Sequence, residues 1–237
     1  MKAVILAGGK GTRLAPYTTV FPKPLLPIGD TPILEIILRQ LKHYGFSEAI
    51  LACGYLAELI QAYFMNNQLS KELTIRYHRE NKPLGTAGAL ATIEGLDSSF
   101  LVMNGDILTS LDYSKLIQYH KEKDAALTIA IAKKSVKIDL GVLHLDNGNR
   151  IIGYDEKPVK EFPVSTGIYV YGPRALDFIE PNTYLDLPTL VLRLIEAKEL
   201  VIGFPSDAFW LDMGNKDDYE KAVQEFEQNK SSFLPSK

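Results

Sequence analysis

The amino-acid sequence predicts an α/β fold of Rossmann-like type, a mixed and mainly parallel twisted sheet with helices on both faces. Apolar runs of strand length alternate with amphipathic helical stretches through the first half of the chain, starting at Lys2–Ala7, which is the pattern of βαβ units. Glycine, proline, asparagine and aspartate cluster at the changeovers, where chain reversal needs them. Of the 237 residues, 46% are hydrophobic and 23% charged, enough apolar material for a sizeable core.

Lys2 to Ala7 reads as a buried strand cut off by Gly8 and Gly9, and a loop with Pro16, Pro22, Pro24 and Pro27 follows. A helix is expected from Thr31, with Pro32 in its first turn, an apolar face of Ile33, Leu34, Ile37, Leu38 and Leu41, and a stop at Gly45. Strands are then expected at 48–53, 73–78, 100–103 and 125–132, and helices at 56–65, 87–93 and 112–123. From about Gly141 the rhythm changes to shorter strands at 141–145, 150–154 and 165–171, with a turn at Asp146-Asn147-Gly148. Helices return at 173–179 and 187–197, strands at 201–204 and 209–212, and a charged helix over about 217–227. A single domain over 1–230 is expected. Its first half, to about 135, would mainly bind nucleotide, and the part from 136 to 230 an acceptor, with 231–237 a frayed tail.

Charge and cysteine content narrow the class. The formal net charge is -3, and lysine and arginine are scattered, which argues against a nucleic-acid partner. The single cysteine, Cys53, ends an apolar run and reads as a core thiol. The apolar start is broken by glycines and charges after Ala7, too short for a signal-peptide core or a membrane span. A cytoplasmic location and no membrane partner are the expectation.

Three stretches carry chemistry. The first is the loop Leu6, Ala7, Gly8, Gly9, Lys10, Gly11, Thr12, Arg13 after the opening strand. Its glycines let backbone N–H groups approach an anion, and a strand end is where open α/β sheets bind ligands. Arg13 adds a forked phosphate grip. It has neither the Walker A ending nor the dinucleotide-binding glycine spacing. Nine or ten residues on, Pro22-Lys23-Pro24 is expected to hold Lys23 on a stiff, extended backbone. The second is a pair of aspartates past apolar strand ends, Asp106 in Asn104-Gly105-Asp106 and Asp212 in Trp210-Leu211-Asp212-Met213-Gly214. Either is suited to Mg²⁺, although sequence alone does not bring them together. The third is Asp155-Glu156-Lys157-Pro158, a carboxylate for hydroxyls beside a cation for phosphate. His43, His78, His120 and His144 are scattered and form no constellation.

The glycine loop followed by Pro-Lys-Pro resembles the signature of the sugar-phosphate nucleotidyltransferases, or nucleotide-sugar pyrophosphorylases, and the resemblance runs from Met1 to about Ala222. It implies the nucleotide-diphospho-sugar transferase fold, and Mg²⁺-dependent reaction of a nucleoside triphosphate with a sugar 1-phosphate that releases pyrophosphate. By that resemblance the 8–13 loop wraps the triphosphate, Arg13 and Lys23 stabilise phosphate charge, and Asp106 and Asp212 converge on one Mg²⁺. Glu156 would bind sugar hydroxyls and Lys157 the phosphate, with Gly141, Thr166, Gly167 and Asn104 around the sugar. Many relatives have asparagine where this chain has Thr166.

Base choice is expected in 80–88, with Glu80, Gly85 and Thr86 as candidates. A carboxylate at Glu80 only accepts hydrogen bonds, and guanine presents two adjacent donors. The run Pro83-Leu84-Gly85-Thr86-Ala87-Gly88 also resembles mannose- and heptose-1-phosphate guanylyltransferases. GTP and mannose 1-phosphate, or a related hexose or heptose phosphate, are therefore the expected substrates. Uridylyl-, thymidylyl- or cytidylyl transfer, phosphocholine as acceptor, and a non-catalytic regulatory subunit stay open. A silent subunit would be expected to lose Arg13, Lys23 or a metal aspartate, and all are present. Many relatives carry a C-terminal left-handed β-helix, so a bare transferase is expected. A homo-oligomer stays open.

Overall fold

The computed structural model describes residues 1–80 and 82–234. Its strands in chain order are β1 (Lys2–Ala7), β2 (Pro27–Ile28), β3 (Thr31–Pro32), β4 (Glu48–Cys53), β5 (Thr74–Arg79), β6 (Phe100–Asn104), β7 (Ile107–Thr109), β8 (Leu127–Lys137), β9 (Val142–Leu145), β10 (Ile151–Asp155), β11 (Val159–Tyr171), β12 (Val201–Pro205) and β13 (Trp210–Asp212). The α-helices are α1 (Ile33–His43), α2 (Ala57–Met65), α3 (Gly85–Gly88), α4 (Tyr113–Lys123), α5 (Leu187–Glu196), α6 (Lys216–Gln228) and α7 (Lys230–Phe233).

Seven strands form the central sheet in the order β12-β8-β11-β6-β1-β4-β5. All neighbours run parallel except β11, which is antiparallel to both β6 and β8. The mainly parallel mixed sheet therefore matches the expected class, and β11 is its one reversed strand. Strands of such a sheet are covered on both faces, and β1 divides accordingly. Ala3, Ile5 and Ala7 enter one apolar cluster with α1, α4 and α6, while Val4 enters the other with Leu90, Leu187 and Leu190. Among the described residues no helix is long and apolar enough to cross a membrane.

Several expectations are corrected. Helix α1 begins at Ile33, because Pro32 keeps an extended backbone (ψ 142°) and pairs with Pro27 across β2 and β3. The helix expected over 87–93 is the single turn α3 followed by a 3-10 turn at Ala89–Thr92, and 173–179 is a 3-10 helix, Pro173–Phe178. Lys23 is not on an extended backbone. Pro22 is extended, but Lys23–Leu25 is a 3-10 turn in which Leu25 N–H donates to Pro22 O at 2.8 Å. The frayed tail does not hold for 231–234. Lys230–Phe233 is helical and Phe233 is 1% exposed against Phe226 and Phe209, a burial worth about 2–3 kcal/mol. Residues 235–237 lie outside the described residues, as does Asn81.

Candidate active site

The chain ends of β1, β4 and β6 open onto a cleft of about 710 Å³, within the ordinary range for a small-molecule site. Leu6, Ala7, Gly8, Gly9 and Lys10 form one side of its lining, and Lys23, Glu80, Gly85, Thr86, Asn104 and Asp106 also face it. Gly11, Thr12 and Arg13 do not line it, because the chain turns away there into a 3-10 turn at Thr12–Leu14. Gly11 allows that turn. Its φ is +62°, and a Cβ there would lie 2.9 Å from Thr18 Cγ2 and 3.1 Å from Lys23 Cβ, so the glycine seats the lysine backbone against the loop.

Asp106 and Asp212, distant in sequence, are brought together by a small second sheet. Strand β7 starts immediately after Asp106 and pairs antiparallel with β13, setting Asp212 opposite Ile107. Met213 N–H then donates to Asp106 O at 3.1 Å. Lys23 joins both carboxylates: its Nζ is in direct contact with Asp106 Oδ2 and 3.9 Å from Asp212 Oδ1. Arg13 reaches the same place from outside the cleft, its guanidinium 3.2 Å from where a Cβ on Gly214 would sit. Burial raises the Asp212 carboxyl above its usual range, and the negative charge of Asp106 adds to the rise. Lys23 and Arg13 pull the other way.

Asp212 Oδ1 is buried without a hydrogen-bond partner. Among the described residues no three His, Cys, Asp or Glu side chains cluster. Two facing carboxylates with an unsatisfied oxygen, beside a cleft, nevertheless fit a Mg²⁺, which takes one or two carboxylates and completes its shell with substrate oxygens and water. Asp106 and Asp212 could hold such an ion.

Glu80 lies at the opposite wall, with Oε1 3.4 Å from a Cβ built on Gly8. Its Oε2 accepts from Leu84 N–H at 3.3 Å. Burial raises its pKa, opposed by that N–H and by the charge of His78. Thr86 Oγ1 accepts from Leu187 N–H at 2.8 Å.

Of the acceptor-side candidates Asn104 lines the cleft, while Gly141, Glu156, Lys157, Thr166 and Gly167 do not. Gly141, Glu156 and Lys157 are exposed, on the arm formed by β9 and β10. They are brought to each other by Tyr154, whose hydroxyl donates to Glu156 Oε2 at 2.9 Å and whose ring crosses Gly141 so closely that any Cβ would clash. Thr166 and Gly167 are buried in β11. Gly167 abuts Asn104, with a virtual Cβ 2.7 Å from Asn104 Nδ2, and Trp210 Nε1 donates to Thr166 O at 2.6 Å. The aspartate strand β13 and the acceptor-side strand β11 are thus tied together.

Sequence reasoning missed part of the wall. Gly54, Tyr55, Lys82, Tyr184 and Asp186 also line the cleft. Gly54 follows a buried strand end as Gly8 does, a signal that was there to read. The segment 183–187 gave no such signal, because it depends on packing a hundred residues away. Leu185 O accepts from Ala87 N–H and Gly88 N–H, and Leu185 N–H donates to Leu84 O.

Residues 2–229 match the nucleotidyl transferase family, and the chain belongs to it. A UTP–glucose-1-phosphate uridylyltransferase of Synechocystis is 35% identical over 94% of this chain and 63% of its own length. A mannose-1-phosphate guanyltransferase of Schizosaccharomyces pombe is 33% identical over 92% of this chain and 62% of its own length. The chain thus spans somewhat under two thirds of these relatives. The crystal structure of HddC from Yersinia pseudotuberculosis complexed with GMP-PN superimposes with a TM-score of 0.72 at 28% identity, covering 95% of this chain and 99% of that one.

Proposed function

We propose that this protein transfers a nucleotidyl group from a nucleoside triphosphate to a sugar 1-phosphate, giving a nucleotide sugar and pyrophosphate. The observation that carries the reading is the meeting of Asp106, Asp212 and Lys23 at the edge of the glycine-loop cleft. Family membership supports the same chemistry.

The triphosphate lies along the Gly8–Lys10 backbone, with its α-phosphorus toward Lys23. An oxygen of the sugar phosphate attacks that phosphorus in line. The new O–P bond forms as the bond to the bridging oxygen of the β-phosphate breaks, and the electron pair leaves with pyrophosphate. The nucleophile is already ionised, so no general base is needed. Lys23 neutralises charge on the transferred phosphoryl group and Arg13 charge on the leaving side. Mg²⁺ held by Asp106 and Asp212 supplies further charge neutralisation to the phosphate oxygens when bound. Glu156 and Lys157, where the chain passes from β10 to β11, bind the sugar hydroxyls and phosphate, and Asn104 with Gly167 forms the floor beneath the sugar.

GTP is the preferred donor in this reading. The half-buried Glu80 carboxylate accepts from both donors on the guanine edge, and guanylyltransferases and the GMP-PN complex of HddC stand among the relatives. Mannose 1-phosphate, or a related hexose or heptose phosphate, is the acceptor. Pyrophosphate release measured with five nucleoside triphosphates against a panel of sugar 1-phosphates, with Mg²⁺, tests all three levels. No release with any pair removes the activity; faster turnover of UTP or dTTP than of GTP removes the role of Glu80 alone.

A further inference from the structure

We propose that Lys23 is the stand-in cation of the free protein, its ammonium holding the carboxylate pair until a nucleoside triphosphate draws it away and a divalent ion takes its place. The inference rests on Asp106 and Asp212 being the metal ligands.

The Lys23 ammonium lies against Asp106 Oδ2 and 3.9 Å from Asp212 Oδ1, and the residue is 8% exposed. A divalent ion bridging the two carboxylates would have to occupy nearly the same space. Two cations at such separation repel strongly, so one of them leaves. The backbone of Lys23 cannot follow, because the 3-10 turn between two prolines and the contact with Gly11 fix it. The four-carbon stem can turn. Lys23 also faces the cleft beside Gly8, Gly9 and Lys10, where the phosphates of a nucleotide would sit, so the ammonium exchanges one set of anionic oxygens for another.

Asp212 Oδ1 shows that the exchange improves the site for the metal. One ammonium at 3.9 Å leaves this buried oxygen without a hydrogen bond; a metal ion between the carboxylates would use it. Metal and nucleotide therefore load together, and each raises the affinity for the other by the same factor. Without nucleotide, the lysine competes with the metal.

Titration of Mn²⁺ into the nucleotide-free protein, read by electron paramagnetic resonance, tests this directly. Lys23→Met and Lys23→Gln, which remove the charge and keep most of the length, are expected to bind Mn²⁺ roughly tenfold or more tightly than wild type. Lys23→Arg keeps the competing charge and is expected to stay close to wild type. The rise in Mn²⁺ affinity on adding a non-hydrolysable GTP analogue should shrink in the Met and Gln variants by the factor gained without it. Neutral variants that bind Mn²⁺ no better than wild type overturn the proposal, and the Gln variant decides it if the Met variant does not fold. Asp106→Asn and Asp212→Asn should each lose the nucleotide-dependent Mn²⁺ binding. If they keep it, the metal-ligand assignment itself is wrong, whatever Lys23 does.

Discussion

Replacing Gly85 by alanine separates backbone strain from crowding at the cleft wall. Gly85 has φ +78°, and a Cβ there would lie 2.4 Å from Leu185 O. The left-handed backbone costs a non-glycine residue about 1–2 kcal/mol, and displacing a packed backbone carbonyl costs about 1–3 kcal/mol more. Gly88 is the control. A Cβ there would be 2.5 Å from Thr183 O, but its φ of -61° is ordinary. Gly88→Ala thus meets only the crowding, offset by about 1 kcal/mol of improved helix propensity. Gly85→Ala should therefore lose roughly 2–5 kcal/mol in urea unfolding, and Gly88→Ala distinctly less. Both loosen the bonds from Ala87 and Gly88 N–H to Leu185 O, and with them the position of Tyr184 and Asp186 in the cleft. Calorimetric titration with GTP should show affinity falling in the same order. Equal unfolding losses for the two variants would refute the strain argument, and an unchanged GTP affinity in Gly85→Ala would refute the role of the 183–187 wall.

Other outcomes follow from the charges. Lys23→Ala and Asp106→Ala should abolish pyrophosphate release while circular dichroism and cooperative unfolding persist, because the carboxylates left behind are reached by water at the cleft edge (Asp106 21% and Asp212 44% exposed); a normal rate in either variant removes the mechanism. Glu80→Gln should turn preference from GTP toward UTP and dTTP by about tenfold, or about 1.4 kcal/mol, and unchanged GTP preference disposes of the carboxylate argument. Burial raises the Glu80 pKa, so the KM for GTP should climb as pH falls through that raised value, while the KM for UTP stays level. Asp212→Asn should raise Tm at neutral pH even as it removes metal binding. The Asp212 pKa is raised in the folded protein, so the folded state holds the proton more tightly, and ionisation costs stability as pH rises from the ordinary carboxylate range through the raised value. The gain should vanish below that window, and a lower Tm at pH 7 would contradict the desolvation argument.

The first half of the fold was legible because its signals are local. An apolar run and a helical stripe each declare themselves within a dozen residues, as β1, α1 and β4 do. The sequence shows the ribbon of β8 and β11 too short, since Lys133–Lys137 is exposed and rich in lysine and Val159–Pro163 is exposed and ends in a proline; cross-strand pairing holds them extended where composition does not. In the site, the glycine loop and Lys23 stand out in the sequence by type and spacing, while Glu80 and Asp106 stand out through the family resemblance. The pairing of β7 with β13 was not, because three-residue strands have no periodicity and their partners lie about a hundred residues apart. Gly85 and Gly88 fall in the stretch expected to choose the base, and the sequence gives no sign that the 183–187 backbone also approaches both of them closely. Phe233 was assigned to a frayed end because an aromatic residue after a charged helix shows no partner in sequence.

In the proposed reaction, the charges around the cleft call for an ion from solution. Among the described residues Lys10, Lys23 and Lys82 line the cleft together with Glu80, Asp106 and Asp186, and Arg13 and Asp212 stand at its edge. Its carboxylates weaken the positive field that its cations present to a triphosphate, Lys23 lies against Asp106, and the charge of Arg13 acts on Asp212. Desolvating several phosphate charges in that setting is costly unless further positive charge enters with them. In the exchange proposed above, a divalent ion brought in by the nucleotide would supply it and would at the same time free Lys23 for the phosphoryl group. On that proposal, carboxylates that look counterproductive in a phosphate site would confine the added charge to one side of the α-phosphorus, because β7 and β13 hold them there as a pair.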